Sequence, residues 1–305
     1  MPQYILQTQE LCKEFAHTAA VNRVSMNIQQ GDIYGFIGEN GAGKTTFMRM
    51  VAGLASPTSG TIRLFGQENL QAGRHYIGCT IENPALYKNM TARENLEIFR
   101  LAFGVKNAKS TDKVLSLMGL ADTGKKRVGD FSLGMKQRLA IAVALLGDPQ
   151  FLILDEPING LDPVGIQELR NLFVQLNREQ NITLLISSHI LGELSKIATR
   201  YGIIHKGSLV SELSANDLMD QCQRHLIIRT DCADKAVNVL QAQLGIAKYK
   251  ILTPCTISLK EYVEQSEVVN KVLIQNGLVL FESTIHEDSL EDYFNSIIAG
   301  GEQNA

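Results

Sequence analysis

No tryptophan occurs in the 305 residues, prolines number only seven, and none of the cysteines form a CxxC pair. The five cysteines, Cys12, Cys79, Cys222, Cys232 and Cys255, are odd in number and widely spread, which speaks against a disulfide framework or a zinc site and for free, reduced thiols. Long apolar runs are missing as well. The longest, Leu139 to Leu146, is far short of the roughly 20 residues a membrane-crossing helix requires. The opening stretch MPQYILQTQELCKEF has no basic start leading into an apolar run, so no export signal is read there and a cytoplasmic chain is expected. Positive charge is not in excess either. A formal net charge of -3 and a pI near 6.1 supply no basic field, so nucleic acid is not expected as a partner.

What is present is the composition of an ordinary folded protein, 45% apolar and 20% charged, in a chain long enough for roughly two domains. Up to about residue 212, β-like runs alternate with helical ones, the pattern of an α/β domain around a largely parallel sheet. DIYGFIG (32 to 38), FLILDE (151 to 156) and ITLLIS (182 to 187) read as buried strands, while SPTSG (56 to 60) reads as a turn. Between about 90 and 147 helices take over, opened by Thr91 with Glu94 three residues on, a capping box. Asp162 before Pro163 is a further cap and first-turn pair. YGIIHKGSLVSEL (201 to 213) predicts a hairpin turning at Lys206-Gly207. A polar stretch then separates residues 1 to 215 from 216 to 305, where the order strand, helix, strand, strand, helix, strand, with a final helix from about Ser289, suggests a small α+β unit of ferredoxin-like type.

The run Gly38-Glu39-Asn40-Gly41-Ala42-Gly43-Lys44-Thr45-Thr46 contains a full GxxxxGKT between a predicted strand and a predicted helix. Glycines let the backbone wrap closely with its N-H groups inward, and the helix N-terminus adds partial positive charge, so the segment suits phosphates. Lys44 is expected to reach the β and γ phosphates of ATP or GTP, and Thr45 to ligate Mg²⁺. Asp155 and Glu156 close an apolar strand, and alternation predicts them on opposite sides of its end: Asp155 for Mg²⁺, Glu156 as base for the attacking water.

Phe131-Ser132-Leu133-Gly134-Met135-Lys136-Gln137-Arg138, shortly before that strand, resembles the signature of the ABC ATPases. Ser132, Gly134, Gln137 and Arg138 match, whereas Leu133 and Met135 replace the family's second-position Gly and terminal Gln. Asn159-Gly160-Leu161-Asp162 is similar to the family's D-loop, and His189 in ISSHI to its switch histidine. Phe15 stands where the family has an aromatic residue that stacks on adenine, and Glu82 where most members have Gln. The runs YIGCTIENPALY and SLGMKQRL resemble the bacitracin-resistance and lantibiotic-immunity branch.

The resemblance implies a P-loop NTPase of ABC type, with a parallel-sheet core, an antiparallel β-subdomain and a helical subdomain. It implies a head-to-tail pair, homodimeric or with a second ABC subunit, in which Ser132 and Gly134 act on ATP held by the other subunit, and it places Asp162 of the D-loop among the nucleotide-binding residues. Catalytic roles fall to Glu156, His189 and Glu82, with Thr45, Asp155 and Glu82 at the metal. The expected function is ATP hydrolysis driving a separate membrane permease, for export of peptide antibiotics or similar amphiphiles, at the inner face of the cell membrane. Two other readings stay open at this point: a soluble ABC ATPase acting on nucleic acid or ribosomes, and an import ATPase with a regulatory C-terminal domain.

Overall fold

The computed structural model describes residues 3–16, 18–82, 85–221, 224–287 and 293–294, and its chain divides into two compact units, the first running to Ala215 and the second starting at Asn216. Cys222, Asn83 and Pro84 of the IENP run, and most of the final helix expected from Ser289 lie outside the described residues. No helix among the described residues is long and apolar enough to cross a membrane.

The first unit opens with β1 (Tyr4–Phe15), β2 (Thr18–Val24) and β3 (Asn27–Gln29), then β4 (Ile33–Ile37), helix α1 (Lys44–Ala52) and β5 (Ser59–Leu64). β1 pairs antiparallel with β2, β3 and β5, bulging between partners, so one long strand organises a small antiparallel sheet. After α2 (Leu70–Arg74) and β6 (Ile77–Thr80) come three helices, α3 (Ala92–Ala102), α4 (Lys109–Leu117) and α5 (Leu133–Leu145). Thr91 and Glu94 form the capping box of α3, each side chain accepting from the other's backbone N-H.

The chain then returns to a sheet through β7 (Phe151–Leu154), α6 (Pro163–Gln180), β8 (Thr183–Ser188), α7 (Leu191–Leu194), β9 (Arg200–His205) and β10 (Ser208–Ser214). The second sheet runs β10-β9-β4-β8-β7-β6, parallel except for the edge strand β10. β4, β7 and β8 are buried along their whole length, which is why they read as continuous apolar runs without alternation. α1 packs between the sheets: Phe47, Met48 and Val51 share a core with Ile5, Leu6, Phe36, Phe151 and Leu185. The helix that begins at the candidate phosphate loop is thereby fixed to both sheets.

After α8 (Ala215–Gln221), the second unit comprises β11 (Arg224–Thr230), α9 (Ala233–Leu244), β12 (Tyr249–Thr253), β13 (Thr256–Leu259), α10 (Ser266–Gln275) and β14 (Leu280–Glu287). Its four strands are all antiparallel in the order β12-β13-β11-β14. Leu226, Ile228, Ile257 and Leu259 bury one face of that sheet against Val237 and Leu240 of α9 and Val269 and Leu273 of α10.

Candidate nucleotide site

β4 is an interior strand of the parallel sheet, between β9 and β8, and the loop that follows it lies at the carboxyl end of the strands, where open α/β sheets bind ligands. Two glycines of this loop are held by sterics. A Cβ on Gly38 would lie 2.4 Å from Ile204 O, and one on Gly43, at φ +109, would lie 2.4 Å from Ala20 O. Gly43 also caps α1 without a side-chain bond, and no acidic residue occupies the first turn, so the first N-H groups of the helix keep their pull on an anion.

Lys44, buried at 5% exposure, donates from Nζ to Gly38 O at 2.5 Å and to Glu39 O at 3.1 Å. It also stands 3.3 Å from Glu156 Oε1. One residue on, Thr45 Oγ1 donates to Asp155 Oδ2 at 2.8 Å. The other oxygen of Asp155 accepts from Ser187 Oγ at 2.6 Å, and Ser187 Oγ accepts from the backbone N-H of Glu156 at 2.8 Å. His189 Nδ1 lies 2.8 Å from Glu156 Oε2. Strands β4, β7 and β8 thus bring Lys44, Thr45, Asp155, Glu156 and His189 to one place. Ser187 belongs to the same network and was not singled out from the sequence, where its only signal is a serine pair closing an apolar strand.

The expected sidedness of the two carboxylates needs correction. β7 ends at Leu154, and Glu156 takes a left-handed backbone at φ +47, so alternation no longer governs where its side chain goes. Both carboxylates face the loop residues, Asp155 on Thr45 and Glu156 on Lys44.

The donor set suits Mg²⁺ by its chemistry. Thr45 and Asp155 present hydroxyl and carboxylate oxygens, and Glu156 Oε1 is buried without an aligned hydrogen-bond donor. Among the described residues no three or more of His, Cys, Asp and Glu cluster so as to hold a metal ion by themselves.

Glu82 is placed differently. Asp155 N donates to Thr80 O at 2.9 Å, which puts the end of β6 beside the site, but the Glu82 side chain is 58% exposed and pairs with Arg49 Nη2 at 2.5 Å. Arg49 lies one helical turn beyond Thr45, so the structure sets Glu82 one turn along α1 from the Thr45–Asp155 pair. Phe15 is an exposed ring with Lys13 Nζ 5.1 Å from its centroid. Asn40 and Glu39 are exposed at the loop's tip, and Thr46 is half-buried behind Thr45.

Ser132 caps α5, its Oγ accepting from Met135 N at 3.2 Å, and Asp162 caps α6, its Oδ1 accepting from Gly165 N at 3.1 Å. Ser132, Gly134, Gly160 and Asp162 line a shared depression of about 490 Å³. Among the described residues, no hydrogen bond or ion pair joins it to the Lys44 cluster. The Asp162 segment is tied to the cluster through its first residue, Asn159, whose N-H donates to Glu156 O at 3.2 Å.

A phosphate loop, two carboxylates at a strand end, a histidine just past the end of the neighbouring strand and a capped signature helix define an ATPase of ABC type. The chain belongs to the ABC transporter ATP-binding proteins: residues 21–159 match the family described as ABC transporter. It is 44% identical to the bacitracin transport ATP-binding protein BcrA of Bacillus licheniformis over 97% of this chain and 98% of that protein. Similarity to the lantibiotic transport ATP-binding protein SrtF of Streptococcus pyogenes is 43% identity over 68% of this chain and 90% of that one. Among solved structures, cbiO1 of Clostridium perfringens, part of the ABC transporter complex cbiONQ, superposes with a TM-score of 0.65 at 25% identity, covering 80% of this chain and 96% of its own.

Proposed function

We propose that this chain is the ATP-hydrolysing subunit of a transporter that exports peptide antibiotics or similar amphiphiles through a separate membrane permease, working at the inner face of the cell membrane. The observation that carries the reading is the Glu156 carboxylate, held between Lys44 at 3.3 Å and His189 at 2.8 Å beside the Thr45–Asp155 pair. The cargo rests on the bacitracin and lantibiotic transport relatives, which favour this reading over the nucleic-acid, ribosome and import alternatives.

In this mechanism the segment from Gly38 to Thr46 cradles the phosphates, and Lys44 exchanges the Gly38 and Glu39 carbonyls for β and γ phosphate oxygens. Thr45 and Asp155 would hold Mg²⁺, which would supply charge neutralisation at the phosphates. Glu156 takes the proton of the attacking water, and His189, hydrogen-bonded to it, orients that carboxylate and faces the γ-phosphate. Phe15 stacks on adenine. Ser132, Gly134 and Asp162 complete the site of a second subunit, so two cassettes pair head to tail. Glu82, its charge offset by Arg49, would serve Mg²⁺ or the attacking water and border the permease.

Residues 1 to 215 form the ATP-binding domain and 216 to 305 an accessory domain of ferredoxin-like type, a reading supported by the strand order β12-β13-β11-β14 and by the bacitracin relative's coverage of nearly the whole chain. The test is reconstitution of the chain with its permease in vesicles, with bacitracin as cargo. ATP-dependent efflux is expected for the wild type and none for Lys44→Ala, which loses several charge-assisted contacts of about 1.5–3 kcal/mol each. Glu82→Gln should retain more efflux than Glu82→Ala. Full efflux with Ala at position 82 would return that residue to the solvated surface.

A further inference from the structure

The turn between β9 and β10 belongs to none of the nucleotide motifs, yet it touches the phosphate loop. Gly207 N donates to Ala42 O at 3.0 Å, and Gly207 O accepts from Asn22 N, in β2, at 2.8 Å. β2 begins at Thr18, which pairs with Phe15 across the tip of the β1–β2 hairpin. A single buried residue thus ties the strand behind the exposed aromatic ring to the backbone of the phosphate cradle. A side chain at this point would crowd the backbone of β2. Gly207 has φ +83, and a Cβ there would lie 3.1 Å from Ala20 O and 3.2 Å from Ala19 O. Gly43 meets the same layer from the loop side, where its Cβ would lie 2.4 Å from Ala20 O and 3.5 Å from Gly207 Cα.

We propose that Gly207 is a positioning residue for the nucleotide. It touches no part of the ATP and acts through Ala42. In a planar trans peptide the carbonyl of one residue and the N-H of the next point in opposite directions. Anchoring Ala42 O on the Gly207 turn therefore aims the Gly43 N-H away from that turn and into the loop. The same residue, through Asn22, sets the spacing between the Phe15 hairpin and the cradle.

The inference rests on the ATP-binding reading, and its test separates the two. ATP with Mg²⁺ is titrated into the full chain as wild type, Gly207→Ala, Lys44→Ala and Gly66→Ala. Gly66 is the control, having a left-handed φ of +73 with nothing within 4 Å of an added Cβ. Gly207→Ala should weaken ATP by about tenfold or more and raise the KM of hydrolysis, with turnover at saturating ATP near that of the wild type. Gly66→Ala should stay within about twofold. Equal effects from both glycines, or lower turnover at unchanged KM, would mean that only folding has been disturbed and would overturn the proposal. Normal affinity in Gly207→Ala alongside lost binding in Lys44→Ala defeats this inference alone, whereas normal affinity in Lys44→Ala defeats the nucleotide reading itself. Should Gly207→Ala not fold, Gly207→Asn, which accepts a left-handed φ more readily, is expected to show the same loss of ATP affinity, and unchanged affinity there overturns the proposal.

Discussion

Glu156 holds a left-handed backbone at the point where β7 has already ended, and its amide is anchored on Ser187 Oγ at 2.8 Å. Non-glycine residues in this region cost energy, and such strain tends to persist where the surrounding contacts fix it and function uses it. Here the contacts are Ser187, Lys44 and His189, and their effect is to carry the carboxylate over the phosphate loop. Glu156→Gln keeps the shape and hydrogen-bonding capacity but removes the base. ATP binding should survive, with turnover falling by about 10²- to 10⁴-fold, measured as phosphate release beside an ATP titration. Turnover close to wild type would assign the base elsewhere.

At the scale of elements, the capped ends of α5 and α6 share a depression that makes no hydrogen bond or ion pair with the Lys44 cluster among the described residues. If they serve a second copy, mixing Lys44→Ala with Ser132→Ala subunits should rebuild one intact composite site per mixed pair and restore part of the ATPase activity that each variant lacks alone. Strictly additive rates across all mixing ratios would place the whole site within one chain.

The edge strand β10 is held by a half-buried polar contact as well as by its ladder. Tyr34 OH reaches past Gly202, where a Cβ would fall 2.4 Å from it, and donates to Glu212 Oε1 at 3.0 Å. Burial pushes the Glu212 carboxyl above its usual 4.5, against the hydrogen bonds from Tyr34 and Asn27 and the charge of Arg200, while Asp32 adds a smaller upward push. The folded state therefore binds this proton more tightly than the unfolded chain does. Its contribution favours folding most below the usual value and is lost as pH rises through the folded one. Glu212→Gln does not titrate, so the stability of wild type relative to this variant should fall as pH is raised from about 4.5 toward neutrality, followed by urea unfolding. A difference that grows with pH would show that the ion pair with Arg200 outweighs burial.

Local signals were readable in the sequence: the glycine loop, the capping box at Thr91 and the Lys206-Gly207 turn each depend on residues within one short segment. The partners of β1 were not, because its three pairings depend on bulges and on strands up to about residue 64. Ser187, Arg49 and Gly207 escaped for a related reason: each acts on residues at least 31 positions away, and no local pattern marks a serine, an arginine or a glycine for that task.

Across the whole molecule, every residue of the nucleotide cluster and the signature lies in the first unit, while the second has its own core of Leu226, Ile228, Leu240, Leu259 and Leu273. Removing residues 216 to 305 should leave a folded protein that binds ATP with near-normal affinity, checked by circular dichroism and titration. Loss of binding would show that the second unit supports the cradle. The pairing of β14 with β11 adds a consequence in time. The first strand of the second unit's sheet waits for the last, so that sheet closes only when the chain has been made to about residue 287, whereas the Gly207 contact on the phosphate loop is in hand 80 residues sooner. During vectorial synthesis, where domains fold in order of emergence, the nascent chain is therefore expected to capture ATP while its second unit is still open, and bound nucleotide would stabilise the first unit before the chain is released.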